Sequence, residues 1–416
     1  MFPRISNELK IFLILFVIFF VTASGNIDSI DGTTHIALAK KIVTEGKIYF
    51  ENSEKNAGVL TKNPHDGKYY SVYNFGYALF QIPGIVSSIL IRDILHSSSL
   101  LPRFPFEVDW IVIFYANMLN AIFVALIGIM IYLLSHELYP NNKKISFLII
   151  PLLVLSTNLF IQAHNQFAHP SFTFFFLFSF YSLLRYIKTK KIKYLFFFSL
   201  LFAITASVYN ATFVLLIPPL MLYYILETKK QKIFSVKNLC IFLICFIPSL
   251  LVQLGWNYMR FQNIFSTGYF EYGIKIYDLN IGTFLRNIYG MTFGPNKGLF
   301  IYNPILCFSF LSLLIGKKRK QNFNFFLFYL VLTVVYIFNY SLSVQWHGDS
   351  VFGPRYLTPL IPIGILLILG IWNELASHKV LGKIKYVLIL LGFLVQIPGL
   401  MLPNFTFFFF SSPYCQ

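Results

Sequence analysis

One acidic residue stands apart in this sequence: Asp31, in the stretch SIDGTTH that directly follows the first hydrophobic segment. A carboxylate within hydrogen-bond reach of a hydroxyl can act as its general base. Other chemistry-bearing side chains gather in a few polar stretches. His65, Asp66, Tyr69 and Tyr70 lie in HDGKYYSVYNFGYALFQIPG, and His164 and His169 in NLFIQAHNQFAHPSF. Lys297 lies in FGPNKGLFIYNP, and Trp346, His347, Asp349 and Arg355 in SVQWHGDSVFGPRYLTP. Arg355 suits a phosphate diester through bidentate hydrogen bonds, and Lys297 suits it as a point charge. Aromatic rings beside polar groups suit a sugar, whose faces are partly apolar and whose rim carries hydroxyls.

Each of these residues also has a plainer reading. Asp31 is a favoured helix N-cap type. Arg355 has the character of an interfacial anchor, and Tyr69, Tyr70 and Tyr73 that of an aromatic belt. His164 and His169 read equally as polar residues at a membrane interface.

The elements that must position these side chains are membrane spans. The chain of 416 residues is 57% hydrophobic, 19% aromatic and only 12% charged. Soluble domains carry roughly 25% charged residues. Apolar stretches of spanning length recur near 9–24, 110–134, 145–162, 170–186, 194–207, 208–226, 238–256, 300–316, 323–341, 356–373 and 385–402. In lipid the backbone must satisfy its own hydrogen bonds, so these stretches are expected to be helices. The fold class is therefore an all-α integral membrane protein with about eleven transmembrane helices. Residues 1–416 form a single polytopic unit, with outer loops at 25–109 and 257–303.

Charge sets the orientation. Connectors on one side carry 20 Lys/Arg against 4 acids, leaving 13 bases and 12 acids for the other, within a net charge of +17. The positive-inside rule puts the amino terminus in the cytoplasm and the Asp31 loop outside. The bases are scattered through short connectors, which argues against nucleic acid as a partner. The small residues Ala23, Ser24 and Gly25 after the first apolar run resemble a signal-peptide end. With further spans following, an uncleaved anchor is the expectation. The four cysteines show neither a disulfide framework nor metal-ligand spacing.

Within the first outer loop, HIALAKKIVTEG predicts a capped amphipathic helix ending at Gly46. Its face of Ile36, Ala39, Ile42 and Val43 suits the membrane surface. Pro64-His65-Asp66-Gly67 predicts a turn. Residues 75–91, interrupted by Pro83-Gly84, predict a second interfacial or re-entrant helix. The spans lack Asp, Glu, Lys and Arg away from their ends, which disfavours ion-coupled pumps. The outer-face set instead describes transfer of a glycosyl group from a lipid phosphate to a hydroxyl.

Four segments carry a resemblance: SIDGTTHIALAKKIVTEGKIY, DGKYYSVYNFGYALFQIPG, KGLFIYNPIL and WHGDSVFGPRYLTPLIP. In these the chain resembles the C-type glycosyltransferase superfamily, in its protein mannosyltransferase-like and aminoarabinose transferase-like branch. The resemblance implies a catalytic Asp31 and a polyprenyl-phosphate-linked sugar held by Arg355 and Lys297. It also implies a cavity formed in part by Asp66, Lys68, Tyr69 and Tyr70. Many relatives carry an acid where His169 stands here. His169 can bond a sugar or a metal but is no fixed anion, so a divalent cation stays an open question and no cofactor is assigned. The acceptor is an unknown hydroxyl, and the expected location is a bacterial inner membrane, among membrane lipid. Two alternatives stand beside this reading, a lipid-linked sugar transporter or flippase and a non-catalytic envelope assembly protein. The first predicts tolerance of Asp31→Asn. The second predicts Asp31, His169 and Arg355 far apart.

Overall fold

The computed structural model describes residues 6–27, 29–97, 109–140, 143–209, 211–273, 277–315, 319–348 and 351–401. Helix α1 (Asn7–Val21) is followed by α2 (Ile30–Glu45), a hairpin of β1 (Leu60–Lys62) and β2 (Tyr69–Ser71), and α3 (Gly76–Ser97). Then come α4 (Asp109–Leu138), α5 (Lys143–Leu155), α6 (Leu159–Gln162), α7 (His169–Thr189), α8 (Ile192–Val208) and α9 (Ile217–Lys230). The chain continues through α10 (Val236–Ile244), α11 (Ile247–Phe261), α12 (Gly268–Glu271), α13 (Ile281–Thr292) and α14 (Leu299–Tyr302). It ends in α15 (Cys307–Ile315), α16 (Arg319–Ser341), α17 (Leu360–Gly370), α18 (Trp372–Ser377) and α19 (Lys379–Met401).

Among the described residues five helical stretches are long and apolar enough to cross a membrane: Trp110–Leu138, Thr212–Lys230, Val236–Phe261, Phe323–Ser341 and Lys379–Met401. Each expected span contains helix, but several are interrupted. The stretch 145–162 breaks between α5 and α6, and the stretch 300–316 breaks after α14. Freed backbone groups at such breaks need partners inside the protein. Here the Asn158 amide donates to the Asn303 side-chain oxygen at 2.7 Å, and the Asn303 amide group donates to the Leu299 carbonyl at 2.8 Å.

The core is built from rings and branched chains. Phe180 stacks on Phe328 with centroids 4.8 Å apart, and Tyr224 on Phe242 at 4.3 Å. Helix α17 is buried from Leu360 to Leu369, as its all-round apolar sequence requires. Arg355 sits in the short 3₁₀ turn Arg355–Leu357 that leads into this central helix.

Three local expectations change. The hairpin was not foreseen: β1 and β2 pair antiparallel in the register Leu60 to Ser71, around the turn at Gly67, whose φ of +71° favours glycine. Pro83 does not break α3, which runs 22 residues through it. Gly84 meanwhile lets the Tyr115 ring of α4 approach the α3 backbone. The apolar face of α2 does not lie open to the membrane surface. Ile36, Ala39, Ile42 and Val43 belong to a cluster with Ala78 and Ile85 of α3 and Trp256 of α11, so protein covers the face assigned to lipid.

Candidate active site

Asp31 stands in the first turn of α2, where the helix dipole favours a carboxylate. It is not the cap. Ser29 fills that role, accepting the Gly32 amide on its hydroxyl at 3.0 Å, which leaves the Asp31 side chain for other partners. Gly32 fits directly against Gln166, whose Cβ lies 2.5 Å from where a glycine-substituting Cβ would stand. Glycine therefore lets the amino end of α2 press onto the NQFAH loop. That loop is fixed in turn by Asn120 of α4, whose amide donates to the carbonyls of Asn165 and of Phe167.

Two groups hold the Asp31 carboxylate. The Tyr73 hydroxyl donates to Oδ1 at 2.6 Å, and Arg355 Nη1 donates to Oδ2 at 3.2 Å. The Asp31 side chain is 14% exposed and that of Arg355 6%, so the ion pair is nearly out of water. Removing one member of such a pair costs about 3–5 kcal/mol, because the other charge stays buried. The Arg355 guanidinium also lies 4.3 Å from the centroid of Phe167 and 5.2 Å from that of Tyr356. Burial first, and then the Asp31 charge, push the Tyr73 phenol well above its ordinary range, so it remains a donor.

The backbone before Arg355 explains its aim. Gly348 and Gly353 have φ of +68° and +78°, in the left-handed region. Gly353 packs on the Asn158 amide. A Cβ on Gly348 would stand 2.9 Å from Arg355 Nε and 3.1 Å from its Cγ. Gly348→Ala is therefore expected to cost about 1–2 kcal/mol of stability through the left-handed backbone. It should also displace the guanidinium. The check is the thermal midpoint of Gly348→Ala against that of wild type, which should fall by the amount this cost implies.

Lys297 is buried in a small cavity together with Arg355, Trp346 and His347, and its amine donates to the Val351 carbonyl. The two cations expected to hold a phosphate thus share one wall. Trp346 packs over Gly290 of α13, and its ring lies 5.8 Å from that of His347. Asp349 lies outside the described residues. His169 is buried beside the pair, its ring 4.5 Å from Tyr209 and 5.7 Å from Tyr356.

Other expected residues fall elsewhere. His164 contacts the Thr22 hydroxyl at 2.8 Å and the Phe160 carbonyl at 2.9 Å, tying α1 to α6. His65 and Asp66 are exposed at the hairpin turn, where Asp66 accepts the Tyr70 hydroxyl at 2.8 Å. The Tyr69 hydroxyl donates to Asn52 at 3.3 Å, and the Lys68 amine sits over Tyr49. This hairpin group forms its own cluster, and Tyr73, read from sequence only as belt, is the tyrosine that reaches Asp31. Among the described residues no group of three or more His, Cys, Asp or Glu is arranged to hold a metal ion.

Beside the pair opens a cavity of about 420 Å³, within the range of small-ligand sites. Tyr356 lines it next to Arg355, and Tyr269 lines it with its ring 6.2 Å from Tyr73. Arg260 of α11 lines it as well and was missed in the sequence. Its guanidinium donates to the Ser71 carbonyl at 2.6 Å and the Asn257 side chain at 3.1 Å, so it holds in place the strand that delivers Tyr73. An arginine at the end of an apolar stretch was the available signal.

His35, one turn after Asp31 on α2, packs 5.2 Å from Tyr73 and 5.0 Å from Tyr77. Burial lowers its pKa from 6.5 to about 3. The folded protein then binds fewer protons here than the unfolded chain below pH 6.5, so stability is intact above that pH and falls as pH drops. By pH 5 the loss from this residue is about 2 kcal/mol. Thermal midpoints measured from pH 7 to pH 5 should fall less steeply for His35→Phe than for wild type.

This fold and site define a class: a predominantly helical protein with several membrane-length apolar helices and a carboxylate just after its first helix paired to a cation 324 positions later. Solved structures share that fold. ArnT from Cupriavidus metallidurans bound to undecaprenyl phosphate superposes with a TM-score of 0.59 at 11% identity, covering 91% of this chain and 62% of that one. The same protein in its apo state gives 0.58 at 11% identity, with 91% and 61% covered. At this identity the likeness is one of fold, and the chain spans about 62% of the length of the ArnT structure. No protein-family model and no curated protein sequence matches the chain.

Proposed function

We propose that this chain is an integral-membrane glycosyltransferase. It moves a sugar from a polyprenyl-phosphate donor to a hydroxyl acceptor on the extracytoplasmic face, with its amino terminus in the cytoplasm. The observation that carries the reading is the nearly buried Asp31–Arg355 pair, with a polar and aromatic cavity beside it that Tyr356, the residue after Arg355, lines. The fold shared with ArnT bound to undecaprenyl phosphate supports a lipid-phosphate donor. The assembly-protein reading expects Asp31, His169 and Arg355 far apart, whereas Arg355 contacts Asp31 and its neighbour Tyr356 contacts His169.

The mechanism follows from the partners. The donor phosphate competes with Asp31 for Arg355 and draws the guanidinium toward itself, with Lys297 on the same wall. Release of Oδ2 lets Asp31 take the proton of the acceptor hydroxyl, while Tyr73 holds Oδ1 in place. The acceptor oxygen bonds to the anomeric carbon as the bond from that carbon to the phosphate oxygen breaks. The electron pair leaves on the phosphate, stabilised by the two cations in a site shielded from water. One displacement inverts the anomeric centre.

The test is a transfer assay in proteoliposomes, with a panel of radiolabelled polyprenyl-phosphate sugars and envelope acceptors. Label should move from one donor to an acceptor only when the protein is present. Folded protein that transfers from no donor would return the transport or scaffold reading.

A further inference from the structure

The walls of the 420 Å³ cavity have a consistent chemistry. Hydrogen-bonding groups come from the amides Asn339 and Gln345 and the hydroxyls of Thr212 and Ser343, while the lining amides Asn74 and Gln253 bond one another. Ring surface comes from Tyr209, Tyr340 and Tyr356, with Tyr340 and Tyr356 stacked at 4.4 Å and nearly parallel. No carboxylate lines the cavity among the described residues. The charged group that does line it is Arg260, 1% exposed and paired with no acid among the described residues.

That combination discriminates among sugars. A ring whose faces are partly C–H and whose rim is hydroxyl finds tyrosine surface and neutral amide partners. An ammonium on the sugar would be desolvated beside a fixed guanidinium, and like charges at short range disfavour one another. A carboxylate on the sugar would seek Arg260. Its Nε, Nη1 and Nη2 donate to the Trp256 and Ser71 carbonyls and to Asn257, but a guanidinium carries five N–H groups, so Arg260 does not exclude a carboxylate.

We infer that the cavity holds the sugar of the donor and that this sugar is polyhydroxylated and bears no amine. The inference rests on the glycosyl-transfer reading but is measured separately from it, by binding. The full chain in nanodiscs is loaded with a fluorescent polyprenyl phosphate, which is then displaced by polyprenyl phosphate alone or by its neutral-hexose and amino-sugar conjugates. The neutral conjugates should compete at least about tenfold more tightly than the amino ones, the scale of one repelled hydrogen-bonding group. Asn339→Asp, which adds a carboxylate to the wall, should shift the preference about tenfold toward the amino sugar.

Equal competition by the neutral and amino conjugates, or preference for the amino sugar in the wild type, overturns the inference and leaves glycosyl transfer standing. An unchanged preference in Asn339→Asp overturns the assignment of the sugar to this cavity. Neutral preference without turnover in the transfer assay would instead defeat the transfer reading and keep the sugar site. Failure of every lipid to bind defeats both.

Discussion

Replacing Asp31 with asparagine should lower turnover by about a thousandfold, the middle of the range a positioned general base contributes. The substitution is close to isosteric. An asparagine oxygen can still accept the Tyr73 hydroxyl, which now bonds Oδ1 at 2.6 Å, so α2 and the hairpin keep their places. What is lost is the ability to take a proton, together with the charge facing Arg355. The guanidinium retains its contacts with the Phe167 and Tyr356 rings, which limits the structural cost. Donor affinity should therefore hold or rise, because Arg355 no longer divides itself between a carboxylate and a phosphate. A fall in kcat without a rise in donor KM is the signature to measure. A transporter would keep its flux in this variant.

Arg355→Ala carries the second large effect, about a hundredfold or more in turnover, on the scale of removing one preorganised donor from a developing anion. It also strands Asp31, 14% exposed, without its counter-charge, and so destabilises the fold by about 3–5 kcal/mol. Arg355→Lys should recover the stability and part of the activity. An ammonium restores the charge, but it offers a point where the guanidinium offers a planar fork. Activities ordered wild type, lysine, alanine would fit, measured with thermal midpoints to separate folding from chemistry. Equal activity of the lysine and alanine variants would count against a bidentate hold on phosphate.

Much of this site was legible because polar residues are rare in so apolar a chain. An acid just past the first span and the run Gly353-Pro354-Arg355 before another span stand out against it, and the structure joins them. Lys297 was legible for the same reason. Tyr73 was not, since it is one tyrosine among several, and only the hairpin register decides which of them turns toward Asp31. Arg260 was harder still, because its role lies in carbonyls 187 to 189 positions away. Periodicity marked the apolar face of α2 correctly but says nothing about whether lipid or protein covers it. Pro83 shows the opposite case, in which the local rule for a helix break gives way to packing around α3. The breaks at Asn158 and Asn303 were hidden because hydropathy averages over them, while their meaning lies in a bond between two distant amides.

The pair at the centre invites one decisive exchange, Asp31→Arg combined with Arg355→Asp. The swapped protein preserves an ion pair of the same reach between α2 and the lead-in to α17, so its thermal midpoint should recover most of what either single variant loses. Its transfer activity, measured in proteoliposomes with the donor the wild type uses, should stay at the level of Asp31→Asn. A base and a phosphate ligand in exchanged places serve neither role. Restored transfer in the swapped protein would mean that the pair only fastens two elements together, and would contradict the assignment of catalysis to Asp31 and Arg355.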